Sequence, residues 1–475
     1  PEGFSGEGEG GYEGATVNDP VRGFHERVAV LDWKALYPSV MMAHNLCHST
    51  WVRDASLLVT SEGVVAHPIS DATTYHFVTS ATHKGILPRI LEELLEQRAS
   101  ARKQGKVHAA RAKADDVGAD EAARQTLLAK VFDGRQLALK VACNSVYGAC
   151  GATMTGKYPC LAVSAAVTYQ GRQAMVIKKD ILPKRFPGMR ILYGDTDSVM
   201  VAFPDAVSVE ETFALAQEAS AFVTEHFATL GYPSMILEFE KVYDPYLLEN
   251  KKRYMGVKYE PDAQGRVVCK GIDAKGVETE RKDTLPFLKV VMCDVRDAVL
   301  RLRDMREALD RFDGHMARLV RDEVPWEQLT LRRNLSSKVV AKTDSIAWAR
   351  VNALRASREA GSEAAVNEQV EYVIVNGPKD AKTTQLAEDP EHAKAHGLRL
   401  NRLWYFEHCI EDAMRRMFDV VEGLDAQQVF DRVRQELNRE RLGVQSLAVE
   451  AASTSSISMA VPRIRMRTPA PPPPR

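Results

Sequence analysis

The sequence predicts an α+β protein in which short buried strands and long helices occupy separate stretches of chain. Three observations carry that expectation. Val28-Ala29-Val30-Leu31 is a compact apolar run of strand length. Residues 190–203 read as two apolar strands around a tight turn at Gly194-Asp195-Thr196-Asp197. Helical patterns start near Pro88 and recur over about 133–147, 161–181, 286–319 and 403–421.

Taken in order, the chain begins at Pro1, not Met, with a Gly/Glu-rich stretch, and is read as a fragment of a longer protein or a processed or incomplete one. The first strand ends at Asp32. The pattern from Trp51 to His83 is strand-like. A helix is expected to start near Pro88, a residue suited to a first helical turn, with Leu87, Leu91, Leu94 and Leu95 as its apolar stripe. The Ala/Lys/Arg/Asp-rich piece 105–120 reads as an exposed turn before a second helix over about 133–147, giving an antiparallel helical hairpin. Further strands are expected within 237–248. The Ser/Thr/Pro-rich tail after Leu442 is expected to be disordered. No internal repeat is present.

At 475 residues the chain is long enough for two or three domains. Sixty-three Lys and Arg against 64 Asp and Glu give a formal charge of -1. That balance neither selects nor excludes nucleic acid, because such binding depends on where the cations lie. They are local: Arg98, Arg102, Lys103 and Lys106; Lys251, Lys252 and Arg253; Arg281 and Lys282; Arg332 and Arg333. Each cluster alone reads most simply as a solvated face. No apolar run approaches the roughly 18 residues that span a bilayer, and no signal-peptide pattern opens the chain, so no membrane partner is expected. Seven cysteines occur without a C-x-x-C pair. This argues against zinc ribbons and iron–sulfur sites and for reduced, buried thiols in an intracellular protein.

The chemistry gathers at three places. Asp195 and Asp197 lie two residues apart around the hairpin turn, so both carboxylates can point the same way. Alone, a D-x-D in a turn is ordinary surface sequence. Asp32, at the end of another buried strand, adds a third carboxylate if that strand neighbours the hairpin. Three converging carboxylates suit two Mg²⁺ ions and in-line phosphoryl transfer. In the second helix Gln136, Lys140 and Asn144 share one face of a segment otherwise apolar or small, with Tyr147 close to that line. A lysine in a buried helix needs a partner. A structural carboxylate would serve, and a triphosphate serves better. Arg98 and Arg102 continue the apolar stripe of the first helix, which points to an inward-facing anion site.

In their order and spacing these segments resemble family B DNA polymerases. Asp32-Trp33-Lys34-Ala35-Leu36-Tyr37-Pro38-Ser39 is similar to motif A, Lys140 through Asn144-Ser145-Val146-Tyr147-Gly148 to motif B, and Tyr193-Gly194-Asp195-Thr196-Asp197-Ser198 to motif C. Tyr12-Glu13-Gly14-Ala15 resembles the motif that links exonuclease and polymerase parts. Lys251-Lys252-Arg253-Tyr254 resembles a motif that grips the duplex near the primer end. Lys275-Gly276 with Arg281-Lys282-Asp283 resembles the thumb entry on the primer strand. Met41 to Cys47 is most similar to the delta-type branch and its large-virus relatives.

The resemblance covers about 12–421 and implies a right hand, with an antiparallel β palm, helical-hairpin fingers and a mainly helical thumb. It divides the chain into a linker (1–27), palm (28–85 and 155–275), fingers (86–154), thumb (276–430) and disordered tail (431–475). It implies Asp32, Asp197 and the Trp33 carbonyl as ligands of two Mg²⁺ ions, with Asp195 as a less direct carboxylate. Leu36, Tyr37, Arg98, Arg102, Lys140, Asn144 and Tyr147 would hold the nucleotide. Lys140 would also protonate pyrophosphate, and Tyr37 would exclude a 2′-hydroxyl. Implied partners are primer–template DNA, deoxynucleoside triphosphates and a sliding clamp or accessory subunits, in a eukaryotic nucleus or a viral replication compartment.

Ala35 stands where the motif usually has Ser, and Glu280-Arg281 where two arginines are usual. No exonuclease motifs precede Tyr12 and no clamp-binding peptide is recognisable in the tail, so a core without proofreading is expected. Two other readings compete. An inactivated polymerase-like subunit would be expected to lose its carboxylates or Lys140. A two-metal nuclease would not need the lysine-bearing helix.

Overall fold

The computed structural model describes residues 14, 19–54, 62–152, 156–262, 264–378, 380–420 and 427–441. The chain divides into two compact units: 1–19 with 28–242, and 20–27 with 243–475. A short strand of the second unit, β1 (Gly23–His25), comes first in the chain.

The first unit is organised around β2 (Val28–Trp33), buried at every position except Asp32. Branched and small apolar residues with both faces covered make this an interior strand. After the helix α1 (Leu36–Ala43) come β3 (Trp51–Val52), β4 (Val64–Ser70) and β5 (Thr73–Val78), which form a separate sheet in the order β3-β5-β4. Two long helices follow, α2 (Ile86–Arg111) and α3 (Ala119–Gly151), then α4 (Leu161–Arg185). Strands β6 (Arg190–Asp195) and β7 (Ser198–Ala202) form the expected hairpin, and β7 pairs antiparallel with β2. Helix α5 (Val209–Thr229) packs on β2, where Phe227 meets Trp33 edge-on at 5.0 Å.

Both helices of the α2–α3 hairpin are longer than expected. The turn shrinks from 105–120 to 112–118, because its Ala, Lys and Arg residues are strong helix formers. Contacts between the helices hold that extension: His108 stacks on Phe132 at 5.3 Å, and its Nδ1 lies 2.6 Å from Gln125 Oε1. The hairpin is also barer than its composition suggested. In α3 only Cys143 and Cys150 are buried, while Leu137 and Val141 are more than half exposed. Lys140 is therefore not a cation in a buried helix. It projects from an open face.

The second unit takes over within β8 (Leu237–Asn250). β8 pairs with β1, and β9 (Arg253–Pro261) and β10 (Val267–Lys275) extend the sheet. Then follow α6 (Pro286–Asp297), α7 (Met305–Val320), α8 (Trp326–Leu329), β11 (Leu331–Asn334), α9 (Ala347–Arg358), β12 (Gln369–Ile374), α10 (Thr383–Leu386), β13 (Ala387–Glu388), α11 (Pro390–Ala395), α12 (Arg402–Tyr405), α13 (Glu411–Asp419) and α14 (Gln427–Arg441). β11, β12 and β13 form a small sheet inside this mainly helical region.

The helix α14 corrects the expectation that order ends at 430. Phe430, Val433 and Leu437, spaced three and four apart, are buried, and Phe430 packs 5.6 Å from Phe312. That stripe supplies the burial a polar tail lacks. Residues 442–475 of the expected tail lie outside the described residues. Four of the seven cysteines are buried, but Cys269, on β10, is exposed.

A histidine pair in the first unit sets a pH dependence. Burial, with His67 adding repulsion, lowers the His44 pKa to about 3. Burial, with His76 adding repulsion, lowers the His67 pKa to about 4. Gln170 Nε2 lies 2.8 Å from His67 Nδ1, and His44 packs on Tyr232 at 4.5 Å. Both rings are neutral when folded and take up a proton near pH 6.5 when unfolded. Their stabilisation is thus complete above pH 6.5 and is lost as pH falls toward the folded values. Each ring should cost about 2 kcal/mol of stability at pH 5 relative to pH 7.5. Urea midpoints at the two pH values test this, and a His44→Phe chain should lose less than its parent.

Candidate active site

Backbone pairing brings Asp32 beside the hairpin turn. Asp32 lies opposite Ser198 in the β2–β7 register, and Ser198 lies opposite Asp195 in β6–β7. The Trp33 amide donates to the Asp197 carbonyl at 2.9 Å. Thr196, at φ 54, bends the turn into the left-handed region, costly for a β-branched residue, and the Asp197 amide donates back to the Asp195 carbonyl. The chain after Asp32 turns as sharply: Ala35 has φ 49 and precedes α1. No side chain caps the N-terminus of α1, which leaves its first amides and the positive end of its dipole facing the next group.

That group is a cavity of about 430 Å³. It is lined by Asp32, Trp33 and Asp197, by Leu36 and Tyr37 from the start of α1, and by Arg98, Arg102, Lys140, Asn144 and Tyr147 from α2 and α3. The Tyr37 and Tyr147 rings lie 4.3 Å apart at 35°, forming an aromatic wall. The strand ends thus supply Asp32 and Asp197, and α2 and α3 supply Arg98, Arg102 and Lys140. Burial first, then the neighbouring Arg102 charge, holds the Arg98 guanidinium below its ordinary range. Among the described residues its buried Nε has no hydrogen-bond partner.

The third carboxylate, Asp195, belongs to the same turn as Asp197. Asp195 is not part of the cavity wall, and its Oδ1 accepts a 3.1 Å hydrogen bond from the Thr196 hydroxyl. Among the described residues no group of three or more His, Cys, Asp or Glu side chains is placed to hold a metal ion.

Of the residues expected to meet DNA, Tyr12 lies outside the described residues, and the Gly14 carbonyl accepts from Arg172 at 2.9 Å. The others fall in the second unit. Lys251, Lys252, Lys275 and Lys282 are exposed, while Tyr254 packs on Tyr246 at 5.5 Å. Arg253 turns inward. It bonds Glu278 at 2.6 Å, Glu249 at 3.3 Å and the Gly276 carbonyl at 3.2 Å, and Arg416 reaches Glu278 at 2.7 Å. Burial pushes the Glu249 carboxyl up. Burial is the largest influence on Glu278 too, but there the Arg253 hydrogen bond and charge, a backbone hydrogen bond and the Arg416 charge together outweigh it, and the carboxyl sits below its ordinary range. Arg281 pairs with Asp283 at 3.0 Å.

A model of DNA polymerase family B matches residues 3–421. This chain belongs to that family. The catalytic subunits of DNA polymerase delta from Caenorhabditis elegans and Bos taurus are each 36% identical to it, over 94% and 87% of this chain. The corresponding Arabidopsis thaliana subunit is also 36% identical, over 88% of this chain. The chain spans only 39%, 36% and 36% of those relatives' lengths. A family B DNA polymerase from the hyperthermophilic archaeon Pyrobaculum calidifontis shares the fold, with a TM-score of 0.59 over 89% of this chain and 48% of that one, at 24% identity.

Four residues of the cavity wall were not singled out from the sequence: Lys34, Pro38, Thr196 and Glu238. Lys34 pairs with Glu238 at 3.6 Å, an exposed contact of little energetic weight. Lys34 and Thr196 stand inside the quoted motifs, so their position was available. Nothing local marks Glu238.

Gly276 offers a test in the second unit. Its φ is +66, and a Cβ there would collide with the Lys252 carbonyl. Gly276→Ala should lower stability by about 2 kcal/mol or more. A chemical-denaturation midpoint followed by tryptophan fluorescence will read it.

Proposed function

We propose that this chain is the polymerising core of a DNA-directed DNA polymerase, adding deoxynucleotides to a primer 3′-hydroxyl and releasing pyrophosphate in DNA replication. The observation that carries the reading is the single cavity in which Asp32 and Asp197 face Arg98, Arg102 and Lys140. Carboxylates opposite unpaired cations suit a substrate that brings both a polyphosphate and its metal ions. In this reading the sheet bearing β2, β6 and β7 is the palm, the α2–α3 hairpin the fingers, and the helices from α6 onward the thumb of a right hand.

Each group then has a task. The start of α1, at Leu36 and Tyr37, offers backbone N–H groups to phosphate oxygens. Arg98 and Arg102 supply forked donors, and Lys140 a compact charge that can pass a proton to the departing pyrophosphate. Asn144 adds a neutral donor. Tyr37 stands under the sugar, where its ring fills the space a 2′-hydroxyl would need, and Tyr147 braces it. Asp32 and Asp197, with the Trp33 carbonyl, are hard oxygen donors that fit Mg²⁺, and two ions are the expected complement. Bound there, divalent cations supply charge neutralisation for the attacking and leaving oxygens. The rest is positioning, as phosphoryl transfer requires. Asp195 is a supporting carboxylate that fixes the turn.

In the second unit the exposed Lys251, Lys252, Lys275 and Lys282 would meet duplex phosphates, with Gly276 and Tyr254 shaping the surface and Arg253 acting through its glutamate network. Primer–template DNA and deoxynucleoside triphosphates are the partners this reading requires. A sliding clamp or accessory subunits and a site of action in the nucleus, or a viral replication compartment, extend it from the eukaryotic relatives. No helix among the described residues is long and apolar enough to cross a membrane.

Primer extension with Mg²⁺ and all four deoxynucleotides should be template-dependent, and Asp197→Ala should reduce it on the order of 10³-fold. Primer degradation, template-independent products or equal activity in the variant would each refute the assignment. Tyr37→Val should raise the ribonucleotide-to-deoxynucleotide incorporation ratio at least tenfold, about 1.4 kcal/mol of discrimination. An unchanged ratio would remove Tyr37 from sugar selection.

A further inference from the structure

The groove between α2 and α3 carries more cations than the cavity beside it uses. Its volume is about 810 Å³, and Arg98, Arg102 and Lys140 line both spaces, so the two are continuous. Lys106, Lys113 and Lys130 line the groove farther out. Its walls include Ala101, Gly105 and Ala109 of α2 and Ala129 of α3. Small residues facing one another leave the space that the long cationic stems border.

The charges around this space are not used by the fold. Among the described residues none of these six cations forms an ion pair with a carboxylate, whereas Arg111 and Arg124 on the same two helices pair with Asp116 and Glu121. Asp133 is the lining carboxylate, and it accepts a 3.0 Å hydrogen bond from Gln136. Cations kept only for solubility would gain by spreading around both helices. Here they border one concavity, and at its inner end the buried Arg98 Nε lacks a hydrogen-bond partner among the described residues. Concentrated positive charge beside low-dielectric walls raises the local concentration of a small, highly charged anion.

We propose that this groove is a second polyphosphate site, in which Lys106, Lys113 and Lys130 hold a triphosphate or pyrophosphate group on its way to or from Arg98, Arg102 and Lys140. The role rests on the polymerase reading, since that reaction takes in one such anion and releases the other.

Inorganic tripolyphosphate is titrated calorimetrically into the full chain without divalent metal or DNA. Lys106→Ala/Lys130→Ala should bind it about fivefold more weakly. Lys106→Arg/Lys130→Arg should match the parent, and the difference should shrink as salt rises. Both lysines are exposed, and circular dichroism confirms that each variant is folded. In primer extension the alanine variant should keep its maximal rate. A raised inhibition constant for pyrophosphate identifies the product as the occupant, and a raised KM for deoxynucleotide identifies the substrate. Unchanged tripolyphosphate affinity overturns the proposal, as does weakened single-stranded DNA binding with tripolyphosphate affinity intact. Weaker tripolyphosphate binding with both kinetic constants unmoved overturns the entry-and-exit role. A parent that extends no primer refutes the polymerase reading, while the titration still decides whether the groove binds polyphosphate.

Discussion

The antiparallel pairing of β2 with β7 is the constraint on which the site depends. It places Asp32 opposite Ser198 and ties the Trp33 amide to the Asp197 carbonyl. Side chains alternate along a strand, so a slip of one residue would turn Asp32 into the core and Leu31 toward the cavity. The apolar burial of Val28 to Leu31 forbids that slip. The core of the first unit and the geometry of its carboxylates are therefore set by the same pairing.

The second requirement is electrostatic. Two carboxylates side by side repel, and so do two arginines on one helix face. Both sets line one cavity, and the start of α1 adds a further positive end. Such an arrangement is costly in an isolated protein and becomes favourable when a ligand carries both signs of charge. Glu249, Arg253, Glu278 and Arg416 in the second unit behave differently. They satisfy one another, and there the charge serves the fold.

Much of this was legible in the sequence because it is local. A buried run ending in Asp32, a D-x-D between apolar strands, and Lys140 and Asn144 one turn apart each declare themselves within a few residues. What was misread depends on what covers a residue. Leu137 and Val141 are apolar, which suggested burial, yet nothing packs over them. The polar segment 105–111 suggested a turn, but a partner helix holds it helical. The stripe of Phe430, Val433 and Leu437 was lost inside a tail judged by its composition. Glu238 reaches the cavity through tertiary structure alone.

The depth profile of the α2–α3 hairpin has a mechanical consequence. Its buried residues lie mostly near one end, at Pro88, Leu91, Cys143 and Cys150, and the far end is exposed. A 26-residue helix is about 39 Å long. Two such rods, locked together and anchored at one end, make a stiff lever. A rotation of about 5° at the base displaces the tip by roughly 3 Å over that length. Motion would then be gathered into one joint, so the cations could advance or withdraw as a set while the strands bearing the carboxylates keep their register.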